Sequence, residues 1–345
     1  MHHQAAKQIN DRDNLHVRIF VCEFVTGGGL YREPLPAALA AEGGLMLQAL
    51  LADLAEIPGV ELVASRDGRL PPLPLPLEVV TVGPQQNVWQ VWEDCLQEAD
   101  ALWPIAPESG GVLERLSRLA WRHGKRLLNS APQAVVLTAA KQATLAALAA
   151  HGLKVVPTFR PGDPLPPHKG AWVAKPDDGA GCADSRCFDE ISALMDWLAQ
   201  DGRRQSHVIQ PYMPGTAASL SMLCLEGKAW LLSCNRQLIQ LRHGVFRYQG
   251  SVLNAMAAQW EHFVPVVAAI ADAIPGLAGY VGVDILVADG EITVLEVNPR
   301  LTTSYAGLRR ATGCNPAGLV LELLYNGRLP TLPAIARNLV EVSLE

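Results

Sequence analysis

Cysteines in metal-binding spacing are missing from this 345-residue chain. Its seven cysteines, Cys22, Cys95, Cys182, Cys187, Cys224, Cys234 and Cys314, form no CxxC and have no His-rich neighbourhood. That argues against a zinc site or a disulfide framework and fits a reduced, cytoplasmic setting. An excess of positive charge is missing too. Lys and Arg total 28 against 34 Asp and Glu, a net charge of −6, so nucleic acid and anionic lipid are not expected partners. No apolar run reaches the ~18 residues of a spanning helix. The opening "MHHQAAKQINDRDNLHV" has no apolar core of a secretion signal, and residues 1–16 read as a disordered leader. No Ser/His/Asp or Cys/His arrangement stands out, which leaves chemistry that needs no side-chain nucleophile. Internal repeats are absent.

What is present is a globular composition, 49% hydrophobic and 18% charged, long enough for two or three domains. Residues 17–25 read as a buried strand, "TGGGL" (26–30) as a flexible turn, and 37–56 as a helix. Strand "VELVAS", the extended linker "RLPPLPLPL", helix "NVWQVWEDCLQEAD", strand "ALWPIAP", helix "GGVLERLSRLAWRHG" and strand "KRLLN" follow. This alternation predicts a parallel α/β domain over 17–130. Residues 131–345 read differently. One helix, "APQAVVLTAAKQATLAALAAHG", is followed by segments of strand character separated by Gly and Pro, a helix over 257–273, and the apolar stripe of "PAGLVLELLYNG". The second part is therefore expected to be antiparallel α+β.

The hairpin "GYVGVDILVADGEITVLEVNPR" carries acids that need a positive partner if buried. A two-residue loop at Asp289-Gly290 would place Asp284 and Glu296 on opposite faces under strict alternation. A three-residue loop over 288–290, with Gly290 left-handed in a bulge, sorts the ribbon better. Val281, Val283, Ile285, Val287, Leu295 and Val297 then share an apolar face, while Gly282, Asp284, Glu296 and Asn298 share the other. In that register Glu296 lies opposite Gly282 and diagonal to Asp284, about 7 Å away. Three such oxygen ligands suit Mg2+, with Mn2+ as an alternative; an exposed hairpin with solvated acids fits the three residues equally well.

Two lysines shift that balance. Lys141 opens an apolar helix, and Lys175 ends the strand "AWVAKP" immediately before "DDGAGC". The loop's N–H groups, Gly179 and Gly181 among them, could wrap phosphate oxygens while Lys175 neutralises charge. The strand "HVIQPYMP" stops at Pro211 and Pro214, leaving backbone groups free to meet an adenine edge, with Gln210 helping and Tyr212 and Met213 adjoining. Taken alone, that segment is better explained as an ordinary strand end.

Taken in order, the α/β segment, Lys141, Lys175 with its glycine loop, "QPYM", Asp284 and "EVNPR" resemble the ATP-grasp superfamily, over roughly residues 130–325. The resemblance implies an ATP-grasp fold whose N-terminal parallel α/β part precedes a lid over about 155–215 and a catalytic part over about 216–345. It further implies ATP held by Lys141, Lys175 and the hinge residues Gln210, Pro211, Tyr212 and Met213, and metal held by Asp284, Glu296 and Asn298. Arg300, and less directly Arg236, would meet the transferred phosphoryl group or a substrate carboxylate. Two positions depart from the pattern: Ala140 replaces an acidic residue before the first lysine, and Ala217 replaces a ribose-binding carboxylate. The implied activity is an ADP-forming ligase that phosphorylates a carboxylate before an amine attacks the acyl phosphate.

"FVTGGGL", "IAPESGG" and "NPRLTTSYAGL" are similar to the tyramine–L-glutamate ligase group of methanofuran-type cofactor synthesis. By that resemblance Glu108, Ser109, Thr302, Thr303, Ser304 and Tyr305 line the amino-acid and amine pockets; the hydroxyls of 302–305 would equally serve as a helix cap. Other amino-acid or dipeptide substrates, and a catalytically silent nucleotide-binding regulator, are the competing readings. The partners expected are a small carboxylate and an amine, with a homo-oligomer left open.

Overall fold

The computed structural model describes residues 16–179, 182–327 and 335–344. Apart from His16, the leader expected over 1–16 lies outside the described residues. Strands β1 (Val17–Glu23), β2 (Val60–Asp67), β3 (Glu78–Val82), β4 (Ala101–Ile105) and β5 (Arg126–Leu127) form a parallel sheet in the order β3-β2-β1-β4-β5. Helix α1 (Ala37–Ala55) covers one face, while α2 (Val88–Glu98) and α3 (Val112–Arg122) cover the other. β3, which follows the proline-rich linker, was not anticipated: only its Val82 is buried.

By length and mean apolar character α1 is long enough to cross a bilayer, a property that Glu42 and Asp53 hide from a search for unbroken apolar runs. Its Leu47, Leu50, Leu51 and Leu54 are fully buried between the first sheet and the C-terminal helices, so it is a core helix. Burying four leucines contributes on the order of 6–12 kcal/mol before entropy is counted. After β1 the chain turns through Val25–Gly29, where Gly28 takes φ +100°. A Cβ on Gly27 would meet Ser65 Oγ at 2.6 Å, and Trp92 Nε1 donates to that same oxygen at 3.0 Å. The glycines let this turn press onto β2.

The alanine-rich segment expected as one helix is two, α4 (Pro132–Ala139) and α5 (Lys141–Ala150), bent by 103° at an extended Ala140. Alanines favour either arrangement, and the break is fixed from elsewhere: Asp177 accepts from Lys141 N through its carbonyl at 3.1 Å and from Gln142 N through Oδ1 at 3.0 Å. It caps α5 from 35 residues away.

A second, antiparallel sheet follows. Its strands are β6 (Trp172–Pro176), β7 (Arg186–Phe188), β8 (His207–Pro211), β9 (Thr216–Leu225), β10 (Lys228–Arg242), β11 (Val245–Leu253), β12 (Gly279–Ala288), β13 (Glu291–Asn298) and β14 (Val340–Ser343). The order is β13-β12-β9-β10-β11-β7-β6-β8, with β14 on β11. The sheet curls into a half-barrel, bringing β6 and β8 over β9, β12 and β13 across one cavity. Helices α6 (Ile191–Leu198) and α7 (Arg203–Ser206) belong to the β6–β8 region, which has its own small core of Trp172, Ala174, Leu194, Leu198 and Ile209. α8 (Trp260–Ala273) packs on the outer face of β9 and β10, and α5 packs on β13 and α8. α9 (Tyr305–Thr312) and α10 (Pro316–Asn326) pack with α1 in the core that joins both halves of the molecule.

Candidate active site

The hairpin closes differently from the sequence expectation. Ala288 pairs with Glu291 across a two-residue loop in which Asp289 (φ +51°) and Gly290 (φ +81°) are both left-handed, the signature of a type I′ turn. The register then shifts between Asp284 and Ile285: Ile285 pairs with Val294, whereas Asp284 pairs with Glu296. Leu295 is the extra residue of a bulge. The carboxylates therefore share a face, as expected, but Glu296 stands directly opposite Asp284 and Asn298 stands opposite Gly282. Leu295 still packs against the apolar core and also lines the cavity, as does Leu286.

That cavity, of about 340 Å3, runs from the hinge to the loop after β13. Lys175, Gln210, Pro211, Tyr212, Met213, Asp284, Glu296, Asn298, Arg300, Thr302, Thr303 and Ser304 all line it. Lys141 lies just behind, almost wholly buried. Its Nζ is 3.1 Å from Glu296 Oε1 and donates to Gly179 O at 2.5 Å and Asp177 O at 3.4 Å. Gly179 thus presents its carbonyl to Lys141. Gly181 lies outside the described residues. Gln210 donates to Thr158 Oγ1 at 2.8 Å, which fixes its amide at the hinge.

Asp284 accepts from Gln237 Nε2 at 2.8 Å and from Asn298 Nδ2 at 3.3 Å. Burial raises its pKa to about 6, with the facing Glu296 carboxylate adding to the rise and Asn298, Lys175 and Gln237 opposing it. Lys175 is pushed down from 10.5 to about 8, chiefly by burial, while Glu296 opposes and Lys141 reinforces the fall. Two carboxylates and two ammonium groups are thus held together where water solvates them poorly. A divalent cation would relieve the repulsion between the acids. Among the described residues no three His, Cys, Asp or Glu side chains converge; two carboxylates and an amide are the sparse oxygen set that suits Mg2+, which takes its remaining ligands from water and phosphate. The residues present fit the ion.

Arg300 donates from Nε to Glu108 Oε2 at 3.0 Å and from Nη1 to Leu301 O at 3.0 Å. Although burial works against its charge, Glu108 raises its pKa. Glu108 thus serves as Arg300's partner behind the cavity wall, not as a lining residue, and Ser109 does not line the cavity either. Thr302 and Thr303 are positioned by tyrosines: Tyr280 OH is 3.0 Å from Thr302 Oγ1 and Tyr248 OH 2.8 Å from Thr303 Oγ1.

Two residues expected at the site stand elsewhere. Tyr305 is buried in the core, donating to Asp53 Oδ2 of α1 at 2.9 Å; it ties α9 to α1. Arg236 is exposed and outside the cavity, while its neighbour Gln237 faces Asp284. A register shift on β10 between Leu231 and Ser233 sets this phase, and short-range alternation carries no sign of it. Sequence reasoning also missed Glu42, Ser219, Gln237 and Tyr248, all of which line the cavity. Glu42 lies on α1, far along the chain from the lysines, the hinge and the acid-bearing hairpin, and only the packing of α1 against the second half brings it in.

This curled antiparallel sheet beside a parallel α/β sheet defines the class. Residues 138–304 match the ATP-grasp domain family and residues 60–135 match the pre ATP-grasp 3 domain; the chain belongs to the ATP-grasp superfamily. It is similar to the tyramine–L-glutamate ligase of Methanocaldococcus fervens, 28% identical over 271 residues, which are 78% of this chain and 82% of the relative. The protein of that name from Methanocaldococcus jannaschii is 27% identical over 235 residues, 68% of this chain and 67% of its own. An ATP-grasp superfamily protein from Archaeoglobus fulgidus shares the fold with TM-score 0.68 and 24% identity, covering 95% of this chain and all of the other.

Proposed function

We propose that the protein is an ATP-dependent carboxylate–amine ligase that joins L-glutamate to tyramine. The observation that supports this reading best is the continuity of one cavity. Hinge, Lys175, facing carboxylates, Arg300 and the hydroxyls of Thr302 to Ser304 share its walls, with Lys141 behind Glu296, so a nucleotide and a carboxylate substrate can meet end to end. The similarity to tyramine–L-glutamate ligases supports these two substrates.

The reaction must bring a carboxylate oxygen to a phosphorus already surrounded by negative charge. Lys141 and Lys175 offset that charge, Lys175 at low cost because its ammonium is already desolvated. Asp284, Glu296 and Asn298 would hold Mg2+, which supplies neutralisation of the phosphate oxygens. Arg300, fixed by Glu108, orients the substrate carboxylate. The carboxylate oxygen displaces ADP from the γ-phosphorus; the amine nitrogen then attacks the acyl carbon, phosphate leaves with the carbon–oxygen bond, and the amine gives up a proton. Enclosure by β6–β8 keeps water from the acyl phosphate.

Incubation with ATP, Mg2+, L-glutamate and a panel of amines tests the assignment. ADP release that depends on both tyramine and glutamate, with a product mass equal to their condensation, is expected. ADP release with another amine but not with tyramine removes tyramine. Tight ATP binding without ADP release from any pair removes the ligase.

A further inference from the structure

The cavity holds a carboxylate without a partner among the described residues. Glu42 projects from α1 into the cavity, half-buried. Burial raises its pKa, and among the described residues Arg300 is the cation that opposes the rise. It lies within electrostatic reach of Tyr248 and Cys182, which line the same cavity. No hydrogen bond or ion pair reaches its carboxylate among the described residues. The neighbouring acids differ: Glu108 has Arg300, Glu296 has Lys141, and Asp284 has Gln237 and Asn298. Arg300's Nε and Nη1 are already committed, to Glu108 and to Leu301 O.

Nor is Glu42 a loose surface side chain. The next residue, Gly43, packs so closely on the buried Glu23 that a Cβ there would lie 2.6 Å from the Glu23 carboxyl carbon. Glu23 in turn is held by Thr26 N at 2.5 Å, Thr26 Oγ1 at 2.6 Å and Val25 N at 3.1 Å. The turn after β1 therefore fixes the height of α1, and with it the position of Glu42. A half-desolvated carboxylate held rigidly without a donor costs stability and is retained where a ligand supplies the donor.

Resting on the ligase reading above, we infer that Glu42 receives the α-ammonium group of the amino-acid substrate, while Arg300 and the Thr302–Ser304 hydroxyls receive its carboxylate. The cavity thus presents one negative and one positive group to a zwitterion. An α-amino acid fits that pair, and a simple dicarboxylate does not. The amino acid is held by its head, which leaves its side-chain carboxylate to face the phosphate-binding lysines.

The test compares L-glutamate with glutarate, which is glutamate without the α-amino group, in the wild-type protein and in Glu42→Gln and Glu42→Ala. Wild type is expected to prefer glutamate in kcat/KM by roughly ten- to a hundred-fold, the worth of a charge-assisted hydrogen bond. Both variants should lose that preference through KM for glutamate, with KM for ATP and the rate with glutarate unchanged. Their ligand-free thermal midpoints should hold or rise, whereas a purely structural glutamate would lower them on substitution. An undiminished preference for glutamate in both variants overturns the inference and leaves the ligase assignment standing. So does a fall in kcat with KM for glutamate unchanged, which would assign Glu42 to the attacking amine. A wild-type protein that releases no ADP with glutamate and whose melting glutamate does not shift overturns both.

Discussion

Asp284 and Glu296 face each other directly across β12 and β13 because Leu295 is an extra residue in the second strand. The tight turn at Asp289-Gly290 alone would send the two carboxylates to opposite sides of the sheet. The bulge restores them to one side and turns Leu295 into the cavity, so one irregularity assembles the acid pair and adds to its apolar surround.

Replacement of Glu296 by Gln should reduce turnover at least a hundredfold, the order seen when a group that stabilises transferring charge is removed. The amide keeps the shape and still accepts a hydrogen bond from the buried Lys141, so circular dichroism and cooperative unfolding should be retained. Turnover close to wild type would contradict a metal-holding role.

The apo protein's affinity for ATP should decline as pH rises above about 8. Lys175 carries its charge below its depressed pKa of about 8, and bound phosphate would raise that pKa. The attraction is therefore complete below pH 8 and is lost as pH climbs from there toward the value in the complex. Titration calorimetry from pH 6.5 to 9.5 reads this slope, and Lys175→Arg should flatten it. A flat wild-type profile would remove Lys175 from the phosphate site.

Gly282→Ala tests the substrate wall. A Cβ there would lie 2.5 Å from Thr302 Cγ2, and Thr302 is held against retreat by Tyr280. A stability loss of about 1–3 kcal/mol is expected, with KM for the amino acid raised several-fold and ATP affinity retained. Equal losses for both ligands would show that the site had collapsed as a whole.

Tyr305→Phe should behave as a core substitution. The hydroxyl meets Asp53, not the cavity, and its loss leaves a buried carboxylate oxygen short of a donor, costing about 1–3 kcal/mol. Denaturant unfolding should register that cost while KM for both substrates stays at the wild-type value. A changed KM would return Tyr305 to the substrate pocket.

Much of this site was legible because its chemistry lies in short motifs whose order fixes their meaning. Lys141, Lys175, the hinge and the acid-bearing hairpin all declare themselves locally, and the cavity collects nearly all of them. What escaped was set by contacts distant in sequence. The alanines around Ala140 read as one helix because the residue that breaks it, Asp177, lies in the glycine loop. Gln237 faces the site in place of Arg236 because of an irregularity several residues back, and a two-fold alternation cannot be phased across a bulge. β11 and β14 were overlooked as well: "VFRYQGSVL" mixes both faces with Arg247, Tyr248 and Gly250, and β14 has four residues. Glu42 carried no local signal.

Asp177 belongs to the strand-and-loop region above the cavity yet caps a helix below it. Four hydrogen bonds, from Lys141 N, Lys141 Nζ and Gln142 N to Asp177 and from Lys141 Nζ to Gly179 O, would all have to part for that region to swing away as a rigid flap. Opening the roof therefore unhooks Lys141, one of the two lysines proposed to meet the phosphates, at the same moment. Admission of nucleotide and assembly of its charge-neutralising groups become one event, and slowed amide exchange at positions 141 and 142 would serve as its clock.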